Sequence, residues 1–311
     1  MRRASGGFRS CAYTGPRDGN VQPPHPRILG NPAVSGPEAA ASRAIAFIGG
    51  GRMAQALAAG FSGSGLVEAG DITAFDPAAD ARERLAARVP GVRFAATGAA
   101  AAAAARLVVL AVKPQQAAAA CAEIAPTLAT DATLVSIVAG LPLGRLAALA
   151  GTPRVVRVMP NTPSLVGRGV SVVCAAPEVP EADRRRVRGL LESVGHVHEA
   201  DESLMDAVTG LSGSGPGFLA LVVEALAAGG ERAGLPADLA LALAVETFAG
   251  TGALLEETRE SPAAIRGQVT SPGGTTLAGL AVLEARGLRA ALADAVVAAT
   301  DRARELGRSA G

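Results

Sequence analysis

The sequence has no tryptophan, and Tyr13 and Lys113 are its only tyrosine and its only lysine. Three histidines complete the scarce polar set, His25, His196 and His198. Acid–base chemistry that needs a tyrosine, a lysine pair or a histidine cluster therefore has few residues to draw on. Three cysteines, Cys11, Cys121 and Cys174, lie far apart, and an odd, widely spaced set suits neither a disulfide framework nor a zinc site. The expected environment is a reducing cytoplasm, and no metal is expected. Charge of one sign is lacking too. With 29 basic and 28 acidic residues the net charge is +1, too little to hold a nucleic-acid backbone or an anionic membrane. Apolar runs are broken by charge or by Gly, Ser and Pro, as in Ala207 to Val223, so no membrane-spanning helix is expected.

What is present is alanine, glycine and a regular alternation. Residues 1–42 are rich in Arg, Gly, Pro and Ser without periodicity, and read as a disordered extension. Arg2, Arg3, Arg9 and Arg17 with no acid among the first seventeen residues would suit a transit peptide, but the segment lacks an amphipathic face. A plain tail, or a start codon assigned too early, is the better expectation.

From Ala44 onward short apolar runs alternate with helical stretches: Ala44 to Ile48, Ile72 to Phe75, Leu107 to Val112, Thr133 to Val138 and Val155 to Met159. That spacing predicts a parallel sheet, which Val170 to Cys174 and Val194 to Val197 could extend. After about Asp201 only helical periodicity remains, through Phe218 to Ala233, Ala237 to Glu256, Thr275 to Arg286 and Leu288 to Glu305. The fold class expected is α/β, a Rossmann-like mostly parallel sheet with helices on both faces over 43–200, followed by an all-helical domain over 201–311. Phe218 to Val223 has no polar face, and a domain of about a hundred residues has too little interior to bury such helices. A second chain should cover them.

Ala44 to Ile48 runs into Gly49-Gly50-Gly51-Arg52-Met53-Ala54 and then a helical stretch. Strand, glycine turn and helix in that order are the context of a dinucleotide site. Gly49 allows the tight turn, Gly51 lets the backbone approach a pyrophosphate, and free N–H groups at the helix start hold the phosphates. Asp76 closes the second strand, where a carboxylate binds the ribose 2′-hydroxyl of NAD, or else caps a helix starting at Pro77; Arg52 and Arg82 could instead receive a 2′-phosphate. Lys113 ends the buried run Leu107 to Val112 at the carboxyl edge of the sheet, where ligands bind.

Two further segments crowd glycine and small hydroxyl residues ahead of helical stretches, Leu211 to Gly217 and Thr270 to Thr276. Gly273 and Gly274 would let successive N–H groups converge on a carboxylate, with Ser271, Thr275 and Thr276 as uncharged donors; helix capping is the plainer alternative. His196 and His198 point to one face of a strand, but with no third ligand nearby they read as a solvated or junction face and not a metal site.

Taken together, Ala46 to Met53, Leu110 to Gln115, Arg157 to Pro163, Asp206 to Pro216 and Val269 to Thr276 resemble, in order, the motifs of the pyrroline-5-carboxylate reductases. The resemblance implies hydride transfer from NADPH or NADH to the C=N carbon of 1-pyrroline-5-carboxylate, giving proline, in an intertwined homodimer or an oligomer of dimers. It places cofactor contacts at Ile48, Gly49, Gly50, Gly51, Arg52 and Met53, then at Phe75, Pro77 and Gly98. Further contacts fall at Ala111, Val112, Lys113 and Pro114, and at Val138, Ala139 and Gly140. Substrate falls to Glu202, Gln268, Ser271, Gly274, Thr275 and Thr276, with Thr276 nearest the ring nitrogen as donor, relay or orienting hydroxyl. The chain departs from the family pattern at Gly98 and Gln268, each where many relatives carry asparagine, and at Arg52, which often has an uncharged counterpart. A β-hydroxyacid dehydrogenase would share the plan, but in that family a lysine of the helical domain does the chemistry, and here none is present. A non-catalytic dinucleotide sensor would have no use for a carboxylate nest.

Overall fold

The computed structural model describes residues 44–103 and 105–309; the expected N-terminal extension lies outside them. The described chain belongs to one compact unit. Eight strands form one sheet in the order β3-β2-β1-β4-β5-β6-β7-β8. They are β1 (Ile45–Ile48), β2 (Ile72–Phe75), β3 (Arg93–Phe94), β4 (Leu107–Leu110), β5 (Thr133–Ser136), β6 (Val155–Met159), β7 (Gly169–Ala175) and β8 (Gly195–Glu199). Every pairing is parallel except β6 with β7.

The central strands are apolar on both sides because both sides are covered. Along β1, Ile45 and Phe47 pack with α1 (Arg52–Gly63), α2 (Ala79–Arg88) and α6 (Glu181–Glu192). Ala46 and Ile48 face the other way, onto α3 (Gly98–Ala103), α4 (Ala117–Ile124) and α5 (Leu143–Ala150). This period of two is the strand geometry doing the sorting. β4 and β5 stop at Leu110 and Ser136, two residues short of their apolar runs, because the chain turns at the carboxyl edge. β3 escaped the sequence reading: it is two exposed residues at a sheet margin.

The rest is helical: α7 (Met205–Val208), α8 (Gly215–Arg232), α9 (Ala237–Thr258), α10 (Pro262–Gln268), α11 (Thr275–Ala285) and α12 (Leu288–Ser309). The glycine-rich segment 211–217 divides: 211–213 belong to a π-turn, Thr209–Gly213, that joins α7 to α8, and 215–217 are the start of α8 itself. Pro216 falls in the first turn of α8, where its missing N–H breaks no bond. The glycines and proline therefore do not interrupt the helix, and Glu202–Arg232 and Ala237–Thr258 are both long and apolar enough to cross a bilayer by length and composition, contrary to expectation. Only Ala227 of α8, and Ala240 and Ala244 of α9, are buried, while Leu219, Leu221, Leu239, Leu241 and Leu243 are exposed. His196 of β8 meets Glu256 of α9 at 2.8 Å, and Arg168 meets the same carboxylate at 2.7 Å. That is the junction role expected for His196, and among the described residues no cluster could hold a metal.

Candidate active site

The strand order reverses between β1 and β4, and the carboxyl ends of these strands open the crevice where ligands of such sheets bind. Three turns meet there: the glycine turn after β1, Ala111 to Pro114 after β4, and Ile137 to Leu143 after β5.

The first glycine serves the fold. Gly49 has φ +103, and a Cβ on it would lie 2.6 Å from the Ala111 carbonyl oxygen. The turn is further pinned by Gly49 N–H donating to the Phe75 carbonyl at 2.8 Å and by the Gln55 amide donating to the Gly50 carbonyl at 2.8 Å. Gly51 differs. It is exposed, its φ of −66 suits any residue, and a Cβ there would meet nothing within 4 Å. The helix it caps has no side-chain cap. A glycine with space around it, at a helix start whose first N–H groups are unsatisfied, is a cradle shaped for an anion that the protein itself does not supply.

Asp76 sits beside that cradle. Its Oδ2 accepts from Gly50 N–H at 2.7 Å and its Oδ1 from Ala78 N–H at 2.9 Å. The helix after it begins at Ala79, so Asp76 does not cap a helix at Pro77 but ties the second turn to the first. Arg82 is anchored across the Asp76 and Pro77 carbonyl oxygens at 2.6 and 3.0 Å. Arg52 is exposed, and among the described residues its side chain makes no hydrogen bond or ion pair. Gly98 is buried, with its N–H donating to Glu123 Oε1 at 2.6 Å, so a carboxylate from α4 lies over the start of α3. Lys113 is exposed at the edge, and Pro114 opens a 3-10 turn instead of the α-helix itself. Phe75 and Val112 are partly buried against the core on the α4 side.

Past β5, Val138 and Gly140 are buried and Ala139 is half-buried. Glu202 reaches this loop: Oε1 accepts the Leu143 N–H and lies 3.8 Å from Arg157 Nη1. Arg157, on β6, also binds Asp206 Oδ1 at 3.0 Å through Nη2. Its side chain is 5% exposed. Asn161 donates to the Ser212 carbonyl at 3.1 Å and accepts from Val170 N–H at 2.8 Å, fixing the π-turn against the β6–β7 connection. Arg157, Asp206 and Asn161 carried no assigned role in the sequence reading. For Arg157 and Asp206 the signal was a charged residue with apolar neighbours on both sides.

The Ser271–Thr276 segment forms a tight turn into α11. Gly274 N–H donates to the Ser271 carbonyl at 2.9 Å, and Gly273 has φ +71, a conformation side chains rarely adopt. Gly274 caps α11 without a side-chain cap, and among the described residues nothing accepts from the Thr275 and Thr276 N–H groups or hydroxyls, which can therefore face a ligand. Gln268, at the end of α10, donates to Glu260. Among the described residues no hydrogen bond or ion pair joins Ser271–Thr276 to the carboxyl edge of the sheet.

Comparison with known proteins agrees with both halves of this arrangement. Residues 202–306 match the model described as pyrroline-5-carboxylate reductase dimerisation, and residues 44–140 match that described as NADP oxidoreductase, coenzyme F420-dependent. The pyrroline-5-carboxylate reductase of Arabidopsis thaliana is 41% identical over 274 residues, 88% of this chain and 99% of its own. A crystal structure of the Plasmodium falciparum pyrroline carboxylate reductase with NADP bound superposes with TM-score 0.78 at 29% identity, covering 85% of this chain and 98% of that one. The Coxiella burnetii pyrroline-5-carboxylate reductase gives the same TM-score at 33% identity, with the same coverage. A glycine cradle at the switch point of the sheet, a hydroxyl-rich nest on the helices and similarity along nearly the whole length lead to one conclusion: the chain belongs to the pyrroline-5-carboxylate reductase family.

Proposed function

We propose that this chain reduces 1-pyrroline-5-carboxylate to proline with NADPH, and with NADH as an alternative donor. The observation that carries the reading is Gly51, a glycine that neither the backbone conformation nor the packing requires. The residues present fit a dinucleotide: Gly51 to Met53 would take the pyrophosphate on their N–H groups, and Asp76 and Arg52 would flank the adenosine ribose. When bound, the nicotinamide supplies a hydride, which adds to the C=N carbon while the ring nitrogen takes a proton. The N–H groups of Thr275 and Thr276, with the Ser271 hydroxyl, hold the substrate carboxylate. The Thr276 hydroxyl hydrogen-bonds the ring nitrogen and orients it. A threonine hydroxyl is a very weak acid, so solvent is the ultimate proton source.

Two copies of the chain act together. The leucines of α8 and α9 form an apolar surface too large to leave in water. A second chain that buries it also gives the nest of one copy a cofactor edge to meet. The free thiols Cys121 and Cys174 fit a reducing cytoplasm; burial pushes the Cys121 thiol up to about 11, so it stays protonated and inert.

Oxidation of NADPH by the purified protein, followed at saturating 1-pyrroline-5-carboxylate, tests the reaction; a 3-hydroxy acid with the oxidised cofactor should give no signal. Thr276→Val, which keeps the shape and removes the hydroxyl, should lower kcat about tenfold, the size of one lost hydrogen bond to a charged group, with cofactor affinity kept. An unchanged kcat removes Thr276 from the reaction. Asp76→Ser should raise the preference for NADPH over NADH about tenfold, since a carboxylate facing the ribose favours a hydroxyl and repels a phosphate. Paired steady-state measurements with the two cofactors read that ratio.

A further inference from the structure

We infer that Gly307, in the last turn of α12, is a positioning residue for the cofactor: the C-terminal helix sets where the loop Ile137–Leu143 stands at the carboxyl edge of the sheet. The inference rests on the reading that a dinucleotide binds at this edge.

Gly140 and Gly307 meet backbone to backbone. A Cβ on Gly140, which has φ +79, would lie 2.9 Å from the Gly307 nitrogen and 3.0 Å from the Ala303 carbonyl oxygen. A Cβ on Gly307 would lie closer still to the Gly140 carbonyl oxygen. Gly307 has ordinary helical surroundings and no positive φ, so nothing local demands glycine there. Only the approach of the loop does.

The contact continues along one stripe of α12. Val296, Thr300, Ala303 and Gly307 are spaced four, three and four residues apart, which puts them on one helix face. Thr300 and Val296 pack on Gly210 of the π-turn, where a Cβ would lie 2.7 Å from the Val296 carbonyl oxygen. Thr300 and Ala303 are buried. The upper part of the stripe is thus fixed on a segment that Asn161 ties to the β6–β7 connection, and the lower part rests on Gly140. At the far end of the loop, Glu202 holds the Leu143 N–H. The loop is tied to β4 at its start, where Ile137 N–H donates to the Leu110 carbonyl at 3.1 Å, while its later contacts at Gly140 and Leu143 come from the helical region, so a displacement of α12 moves the backbone that would line the nicotinamide side of the site.

Gly307→Ala inserts a methyl group between two backbones that cannot both stay in place. NADPH titration of the intact protein should show an affinity about tenfold weaker, and the KM for NADPH should rise in step. The KM for 1-pyrroline-5-carboxylate should stay within about twofold, a split that general loss of structure would not give. Hydrogen exchange of the 137–143 amides, measured without cofactor, should quicken. Gly144→Ala, an exposed neighbour with nothing within 4 Å of its added Cβ, should change none of these.

An unchanged affinity together with unchanged exchange at 137–143 in Gly307→Ala overturns the inference. Should that variant not fold, a chain ended at Leu306 removes the contact without a clash; exchange at 137–143 should again quicken, and unchanged exchange is equally fatal. A parent protein that does not bind NADPH would sink the dinucleotide reading instead, and the exchange arm would still decide whether α12 holds the loop.

Discussion

Gly51→Val should abolish measurable dinucleotide binding while leaving the fold intact. The backbone at Gly51 has φ −66 and ψ 176, within the extended region that β-branched residues favour, and an added Cβ meets no protein atom within 4 Å. Cost to the apo protein should be small. The branched side chain would instead project over the open N–H groups of α1, where a pyrophosphate must approach the backbone closely. An affinity loss of at least about a hundredfold is expected, with a thermal midpoint within a few degrees of the parent. Fluorescence titration with NADPH and a melting curve read the two halves separately. If affinity is retained, the pyrophosphate does not lie on this turn; if the midpoint collapses, Gly51 belongs to the fold, as Gly49 does.

Arg157→Ala should produce the largest loss of stability. The guanidinium is 5% exposed and faces the carboxylates of Asp206 and Glu202, which are 28% and 38% exposed. Removing it leaves two neighbouring anions with no cation and an empty volume on β6. Breaking a fully buried pair costs about 3–5 kcal/mol, and water reaching these part-exposed acids reduces that to roughly 2–3 kcal/mol. Cofactor binding should also weaken, because Glu202 holds the Leu143 N–H and Arg157 holds Glu202 in place. Denaturant unfolding measures the first effect. The second is read as a higher KM for the cofactor in the fraction that remains folded. A variant as stable as the parent would mean that the two acids find other partners, and the link from β6 to the loop would be lost with it.

The two predictions mark where the sequence was readable and where it was not. The glycine turn needed only strand, turn and helix in succession, and β1, β2 and β6 fell within a residue of their apolar runs, because burial on both faces leaves little choice of side chain. The π-turn was hidden. Gly210, Gly213, Gly215 and Gly217 with Pro216 look like a break, yet the proline stands where a helix tolerates it and two of the glycines are used for close packing, Gly210 on Thr300 and Gly213 on Met159. α10 is seven residues long, started by Ser261 accepting from Ala264 N–H at 3.2 Å, and seven residues carry too few turns for periodicity to speak. Partnerships over long sequence distances had no local signature at all. Asp76 with Gly50, Glu123 with Gly98, Glu202 with Leu143 and Gly140 with Gly307 come from elements that the fold alone brings side by side.

With the proposed pairing of two copies, helices whose greasy sides a sister molecule covers would make the newly synthesised polypeptide dependent on supply. At low abundance an unmated copy presents adhesive flanks to whatever passes, and mispairing competes with correct mating. Apparent robustness should therefore rise with dose, since mass action rewards the assembled state. Amino-acid changes on those flanks would then show up first as poor yield, and only later as poor chemistry.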